Sequence, residues 1–337
     1  MAATVKDVAA AAGVGIATVS RVFSGNGAVG AATRERVLAA ARELDYRPSA
    51  VGRSLKTRRT GGIGLVVPDV TDPFQAELAA GVLACARDLG EHVVLDVSGG
   101  DPGREAAIVE RMVGQRLDGV VAVPAGDRAP WAAAAAAGGG VVFADRALPG
   151  LPDVPAVLAD DAAGVASLAE YLLGLGHRRI ALLGAAPRGR ARGERERAFR
   201  EALAAAGVAV DEELMVAARP ARDSAYAAAA GLLQSRPDAT AVLAATHLLG
   251  EAAVLVAREL DLRVPADVSI AMVGDVAWAE LCDPPLTAVA RPGRDIGYRA
   301  CETLLRDRNR RGPAGPVRLP AELVVRGSCG PCRGGRR

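Results

Sequence analysis

The strongest constraint on the fold is an alternation of short apolar runs and longer helical stretches that begins at Gly61. The runs have the length of buried strands, and they comprise residues 63–67, 93–97, 120–123, 141–143, 180–183, 214–216, 241–244 and 269–273. Helix-length segments separate them. Alternating strands and helices form parallel sheets with helices on both faces. The two consecutive series therefore predict an α/β core of two lobes, whose ligands bind outside the carboxyl ends of the strands.

A different pattern occupies the first 46 residues. The spacing predicts a first helix whose apolar face is formed by Val5, Val8, Ala9 and Ala12. Gly13 ends this helix, and a second begins at Ile16 with Val19 and Val22 turned inward. A third helix over residues 31–44 turns Val37, Leu38, Ala41 and Leu44 inward. The first two helices and their glycine turn are typical of a helix-turn-helix. The alternative is a helical hairpin inside an ordinary core.

Charge is distributed unevenly along the chain. The first 60 residues contain ten Lys or Arg and four Asp or Glu, although the net charge of the whole chain is only +2. The remaining residues are therefore net acidic. A basic N-terminal segment before an acidic body indicates that this segment binds a polyanion such as nucleic acid.

The cysteines, the histidines and the apolar segments argue against a metal protein, an exported or membrane protein, and an enzyme. Cys85, Cys282 and Cys301 are isolated and read as small core residues, and an odd count suits a reducing compartment. Cys329 and Cys332 have metal-ligand spacing without a second pair, so we expect no metal and no cofactor. Neither an export leader nor a membrane span is indicated, and we expect a cytoplasmic, nucleoid-associated protein. The three histidines lie in unrelated segments, which favours a protein that is not an enzyme.

Several segments together resemble the lactose/galactose-repressor family of bacterial transcription factors. They are Thr4–Arg21, PSAVGRSLK, IGLVVPDVTDPF, LGHRRIALLG, LRVPADVSI and DPPLTAV, in order from residue 4 to about 329. The resemblance implies a helix-turn-helix three-helix headpiece over residues 1–46 and a hinge over 47–60. It also implies a two-lobed core over 61–328, like the periplasmic binding proteins, with parallel sheets. We expect a disordered tail over residues 329–337.

The resemblance also implies which residues contact DNA. In the major groove, Ile16, Ala17 and Arg21 occupy the base-reading positions, and Arg21 can bind a guanine with two hydrogen bonds. The implied phosphate contacts are Thr18, Ser20 and Asn26, although Thr18 and Ser20 also suit a solvated helix surface. At the hinge, Leu55 is the implied minor-groove wedge and Lys56 its neighbour on the groove floor or phosphates. A buried linker anchor is the alternative role for Leu55.

The resemblance also implies effector contacts, and these match the family pattern only in part. They are Phe74 and Gln75 after the first strand, Asp145 after the fourth, Arg195 in the segment RERAF, His247, and Asp275. A structural salt bridge is the alternative role for Arg195. Two places depart from the family pattern: Thr246-His247 replaces the usual Asn-Asp, and Gly274 replaces a ligand-binding Asp, for which Asp275 would have to compensate.

These residues predict a homodimeric repressor that binds a palindromic operator. Its affinity would be controlled by a small molecule, a sugar or related metabolite, in the cleft between the lobes. A solute-binding protein of a transport system shares the implied core fold and is the alternative.

Overall fold

A computed structural model describes residues 3–24, 28–46, 60–138, 140–185, 190–218, 221–306 and 315–332. Three residues predicted to contact DNA, Asn26, Leu55 and Lys56, lie outside the described residues. The chain divides into two compact units, Met1–Gly61 and Gly62–Arg337.

The first unit is a headpiece of three short helices, α1 (Val5–Ala11), α2 (Ile16–Ser24) and α3 (Ala31–Glu43). Thr4 caps α1 reciprocally with Asp7: the Thr4 amide donates to the Asp7 carboxylate at 2.8 Å, and the Asp7 amide donates to Thr4 Oγ1. Gly13 has φ +63°, a left-handed conformation that glycine adopts without a steric penalty, so the chain can turn there between the two helices. Val8, Val19 and Val37 are fully buried between the helices.

The inner face of α3 differs from the predicted one. Val37, Ala40 and Ala41 are buried, whereas Leu38 and Leu44 are 37% and 36% exposed. Residues three and four positions apart share a helix face, and Leu38 lies about 100° around the helix from Val37. Including Leu38 in the inner face was wrong because its apolar character, rather than its angular position, was used. Leu44 does share the face of Ala40 and Ala41, but it lies one residue beyond the end of α3 and remains 36% exposed.

The second unit holds two parallel sheets with helices on their faces. Its helices are α4 (Pro73–Asp88), α5 (Pro102–Gly114), α6 (Ala129–Ala136), α7 (Asp161–Gly174), α8 (Arg190–Ala205), α9 (Arg222–Ser235), α10 (His247–Glu259) and α11 (Gly293–Arg306). Its strands are β1 (Gly62–Val67), β2 (His92–Val97), β3 (Gly119–Ala122), β4 (Gly140–Ala144), β5 (Ala156–Ala159), β6 (Ile180–Ala185), β7 (Met215–Ala218), β8 (Ala241–Ala244), β9 (Ser269–Val273), β10 (Thr287–Ala290), β11 (Val317–Leu319) and β12 (Glu322–Val324).

The strand order defines two lobes. The N-lobe sheet has the order β11-β5-β4-β3-β1-β2, and the C-lobe sheet has the order β12-β10-β9-β8-β6-β7. Of the described strand pairs, β10 with β12 is antiparallel and the others are parallel. The chain passes between the lobes three times: from β5 to α7, from β10 to α11, and from β11 to β12. These crossovers were not predicted, and neither were the strands β5, β10, β11 and β12 that lead into or out of them.

Helices α4 and α11 pack with their backbones in direct contact on the N-lobe sheet. A Cβ atom added at Gly81 would lie 1.9 Å from the Arg294 carbonyl oxygen, and one at Gly297 would lie 1.9 Å from the Leu78 carbonyl oxygen. Glycine is therefore required at both positions. This contact fixes α11, and with it the segment that leads from β10 to α11.

The end of the chain is ordered for longer than predicted. Cys329 is buried, the Gly330 amide donates to Ser269 Oγ at 3.1 Å, and the Cys332 amide donates to the Leu175 carbonyl at 2.9 Å. The prediction of disorder was thus wrong for residues 329–332, which are bound to the C-lobe. Among the described residues, no helix combines the length and the apolar character needed to cross a bilayer.

Candidate functional site

Helix α2 carries five of the eight residues predicted to contact DNA. Ile16 at its first position is 47% exposed, Ala17 and Arg21 are exposed, and Thr18 and Ser20 are half-buried. The residues that hold the helix against the headpiece, Val19 and Val22, lie on the opposite face and are buried. One face of α2 is therefore used for packing and the other is available at the surface.

The second group of predicted residues gathers at the carboxyl ends of the strands. Asp72 caps α4 by accepting hydrogen bonds from the Phe74 and Gln75 amides at 2.8 and 3.2 Å, which places both residues just beyond β1. Asp145 follows β4, and His247 begins α10 just after β8. Because these strands are parallel within each sheet, their ends meet at the same edge, as expected for the ligand cleft of such a fold.

The backbone of Asp145 is unusual. Its φ is +66°, in the left-handed region that side chains other than glycine, asparagine and aspartate seldom adopt. Residues held in this region occur preferentially at functional sites, where the surrounding structure offsets their strain. Asp145 is buried, and its carboxylate faces Arg291.

Arg291 is the central cation of the cleft. Its Nη2 donates to Asp145 Oδ1 at 2.5 Å, and its Nε donates to Asp161 Oδ1 at 2.7 Å. Its Cζ atom lies 3.8 Å from the centroid of the Phe74 ring, within the range of a cation–π contact. The Arg291 side chain is only 9% exposed, and those of both aspartates are 6% exposed.

Arg195 completes this set of charges from the C-lobe. Its Nε and Nη2 donate to Asp161 Oδ2 at 3.1 and 2.7 Å, and its Nη1 donates to the Ala245 carbonyl at 2.7 Å. The alternative role proposed for Arg195, a structural salt bridge, is thus the contact that the structure contains. We call Asp145, Asp161, Arg195 and Arg291 the cleft ion cluster.

The cations of this cluster stabilise the ionised aspartates. Burial by itself raises the pKa of Asp145, but Arg291 and Arg146 more than offset it and hold the pKa at about 2, below the ordinary 3.8. The pKa of Asp161 is also lowered, because Arg195 and Arg291 outweigh its burial. Burial alone would lower the pKa of Arg291, yet the two carboxylates raise it above the ordinary value for arginine. Asp145, Asp161 and Arg291 are therefore ionised at neutral pH.

A pH series on Asp145→Asn tests this ionisation, and asparagine also tolerates a positive φ. A carboxylate with a lowered folded-state pKa stabilises the protein above its unfolded-state pKa, and this contribution is lost as the pH falls through the folded value. We therefore expect the difference in unfolding free energy between wild type and variant to be full above about pH 4 and to shrink towards about pH 2. Urea unfolding at stepped pH measures it. A pH-independent difference would contradict the assignment.

His247 and Asp275 differ in what surrounds them. A Cβ atom added at Gly274 would lie 3.5 Å from His247 Cβ, so the two departures from the family pattern are neighbours. Both oxygens of Asp275, in contrast, accept hydrogen bonds from Arg326, at 2.8 and 2.9 Å. The structure therefore places Asp275 in an internal ion pair of the C-lobe, and not with the cleft ion cluster. The expectation that it substitutes for a ligand-binding aspartate is not supported by this geometry.

Two members of the cluster, Asp161 and Arg291, were not identified from the sequence. Arg291 directly follows β10, and Asp161 lies two residues beyond the end of β5. A polar residue near the carboxyl end of a parallel strand is the signal that would have found them. Arg291 is 130 and 146 positions from its two partners, and Asp161 is 34 positions from Arg195, so no local pattern shows the pairing. Among the side chains that the structure describes, no group of three or more His, Cys, Asp or Glu is placed to hold a metal ion.

Comparison with known proteins gives matches along nearly the whole chain. Residues 4–49 match the bacterial regulatory proteins of the lacI family, and residues 169–329 match the periplasmic binding protein-like domain. The HTH-type transcriptional regulator DegA of Bacillus subtilis (strain 168) is 34% identical over 98% of this chain and 99% of DegA.

Two solved structures extend the comparison. The transcriptional regulator CelR–cellobiose complex is 34% identical, with a TM-score of 0.72 over 97% of this chain and 99% of that one. The lac repressor dimer bound to operator and the anti-inducer ONPF is 26% identical, with a TM-score of 0.86 over 98% of this chain and 100% of that one.

These relatives contain the headpiece as well as the core, so the alternative of a transport solute-binding protein is wrong. The fold prediction, an α/β chain with a helix-turn-helix headpiece and two parallel-sheet lobes, is confirmed. The chain belongs to the lacI family of bacterial regulatory proteins, the DNA-binding transcriptional regulators that its headpiece and two-lobed core predicted.

Proposed function

We propose that this protein is a homodimeric repressor of a palindromic operator in the cytoplasm, controlled by a small molecule that binds between its lobes. The observation that carries the proposal is the division of α2 into a buried face and a surface face that bears Ile16, Ala17 and Arg21. A helix of this kind reads base edges from the major groove, and a two-fold dimer reads two half-sites. The lac repressor dimer, a structural relative, has been solved on operator DNA.

The proposed effector contacts are Phe74, Gln75, Asp145, Arg195 and His247. Gln75 is 5% exposed, and within the part of the chain that the structure describes its Oε1 accepts no hydrogen bond. A buried acceptor of this kind is stabilised by a ligand that donates a hydroxyl or amine proton. CelR, a relative, has been solved with cellobiose, and a sugar or related metabolite is the class that we propose here.

Arg21→Ala tests the base-reading role. A two-hydrogen-bond contact from arginine to guanine contributes roughly 1–3 kcal/mol of discrimination, so we expect the preference for the selected operator over random duplex to fall by about 10- to 100-fold. Selection from a genomic library supplies the operator, and fluorescence anisotropy measures both affinities at fixed salt.

The matched control is Arg36→Ala, which removes the same charge from the exposed surface of α3. It should weaken binding to operator and random duplex alike, because a lost phosphate attraction carries no sequence information. Equal loss of preference in both variants would contradict the assignment of Arg21. If the wild-type protein recovers no two-fold-symmetric sequence, the proposed function is wrong.

A further inference from the structure

The cleft ion cluster connects the two lobes through one side chain. Arg291 lies in the crossover from β10 to α11, and it donates to Asp145 at the end of the N-lobe strand β4. It also donates to Asp161, the first residue of α7. Asp161 in turn accepts from Arg195 on the C-lobe helix α8, which continues to the Ala245 carbonyl. Charged hydrogen bonds thus run without a break from the N-lobe to the C-lobe.

The same guanidinium occupies surfaces expected to receive the effector. Its Cζ atom lies 3.8 Å from the centroid of the Phe74 ring, and its Nη2 donates a hydrogen bond to Asp145 Oδ1. Two of the proposed ligand contacts are therefore already engaged by a group of the chain itself.

A neutral ligand is a poor replacement for this guanidinium. Removal of the cation leaves Asp145 and Asp161 as buried carboxylates with less compensating charge, which is strongly unfavourable. Hydroxyl groups donate hydrogen bonds to carboxylates but bring no charge. The space between Phe74 and the two aspartates is instead complementary to a planar cation.

We propose that Arg291 is a built-in ligand of the cleft, which ties the two lobes in one arrangement before any small molecule binds. This inference rests on the proposed function of the cleft and specifies its regulation: an effector acts by preserving or breaking the tie. Such a ligand shifts the arrangement only by its difference in affinity for the tied and untied states.

Hydrogen exchange of the full-length protein without DNA tests the tie, using Arg291→Ala. We expect exchange to rise by about tenfold or more at both ends of the chain of charges, around residues 72–76 in the N-lobe and 244–248 in the C-lobe. Ethylguanidinium added at millimolar concentration should restore at least about half of the lost protection, because it fits the space left by the side chain. The neutral isostere N-ethylurea should restore none.

The matched control is Arg326→Ala. The Arg326 side chain is 12% exposed, a fraction similar to the 9% of Arg291. It pairs with Asp275 and Glu280 inside the C-lobe. Its removal should leave exchange at residues 72–76 unchanged. If Arg291→Ala alters only one lobe, or if N-ethylurea restores protection as well as ethylguanidinium does, the tie is refuted.

A milder variant keeps the test decisive if Arg291→Ala does not fold. Arg291→Lys retains the charge, but one ammonium group cannot form the forked contacts to both carboxylates. Hydrogen exchange at residues 72–76 and 244–248 should then rise by a smaller factor than in Arg291→Ala. Exchange rates equal to those of the wild type in both segments would overturn the proposal. Because no DNA is present, this result is independent of whether an operator is found.

Discussion

Replacing Gly297 with alanine is expected to destabilise the N-lobe by about 3 kcal/mol or more, at the upper end for over-packing in a core. The added Cβ would lie 1.9 Å from the Leu78 carbonyl oxygen, which belongs to the backbone of α4. A side chain can change rotamer to relieve a clash, but here two helix backbones must separate. We expect a marked loss in the urea midpoint, measured by circular dichroism.

Gly231→Ala provides the matched control for this substitution. Gly231 lies within α9, and a Cβ atom added there meets nothing within 4 Å. Alanine should stabilise that helix by up to about 1 kcal/mol, because glycine is the poorer helix former. If both variants change stability alike, the contact between α4 and α11 does not require glycine.

Removing the carboxylate of Asp161 is expected to have the second large effect, a loss of about 3–5 kcal/mol in Asp161→Ala. Asp161 accepts hydrogen bonds from both Arg195 and Arg291. Its removal leaves these two cations with Asp145, a partner of Arg291, as the remaining carboxylate of the cluster. The start of α7 remains capped, since Asp160 accepts from the Ala163 amide at 3.1 Å. The loss therefore reports on the cluster and not on the helix cap.

Asp275→Ala is the control for this second prediction. Asp275 also pairs with an arginine, but Arg326 retains Glu280 and the Leu286 carbonyl as partners. We expect a clearly smaller loss in thermal unfolding experiments. A loss as large in Asp275→Ala as in Asp161→Ala would mean that the cleft ion cluster contributes no more than an ordinary ion pair.

The headpiece could be predicted well because its information is local. The buried positions of α1 and α2 follow from residues three or four apart, and Gly13 supplies the left-handed turn. The error at Leu38 has a local origin too, since apolar character alone does not define which face of α3 meets the other helices. Of the DNA contacts, those on α2 were placed on an accessible face, and their roles stay predictions.

Only part of the core could be predicted, because some of its strands pair with segments that are distant in the sequence. Strands such as β1, β3 and β8 were recognisable as apolar runs. In contrast, β10, β11 and β12 were not predicted, and β11 and β12 pair with strands distant in sequence. The cleft shows the same division. The resemblance pointed to Asp145 and Arg195, whereas Arg291 was not among the predicted site residues.

The sequence by itself thus determined the class of fold, the helix-turn-helix and the edge of the sheets where polar residues gather, because periodicity and glycine positions act over a few residues. Only the tertiary structure decided which charges neutralise one another in the cleft. Asp145, Asp161, Arg195 and Arg291 come from four separate segments, and three crossovers between the lobes bring them together. Burial then makes each charge depend on the others, since water no longer screens them.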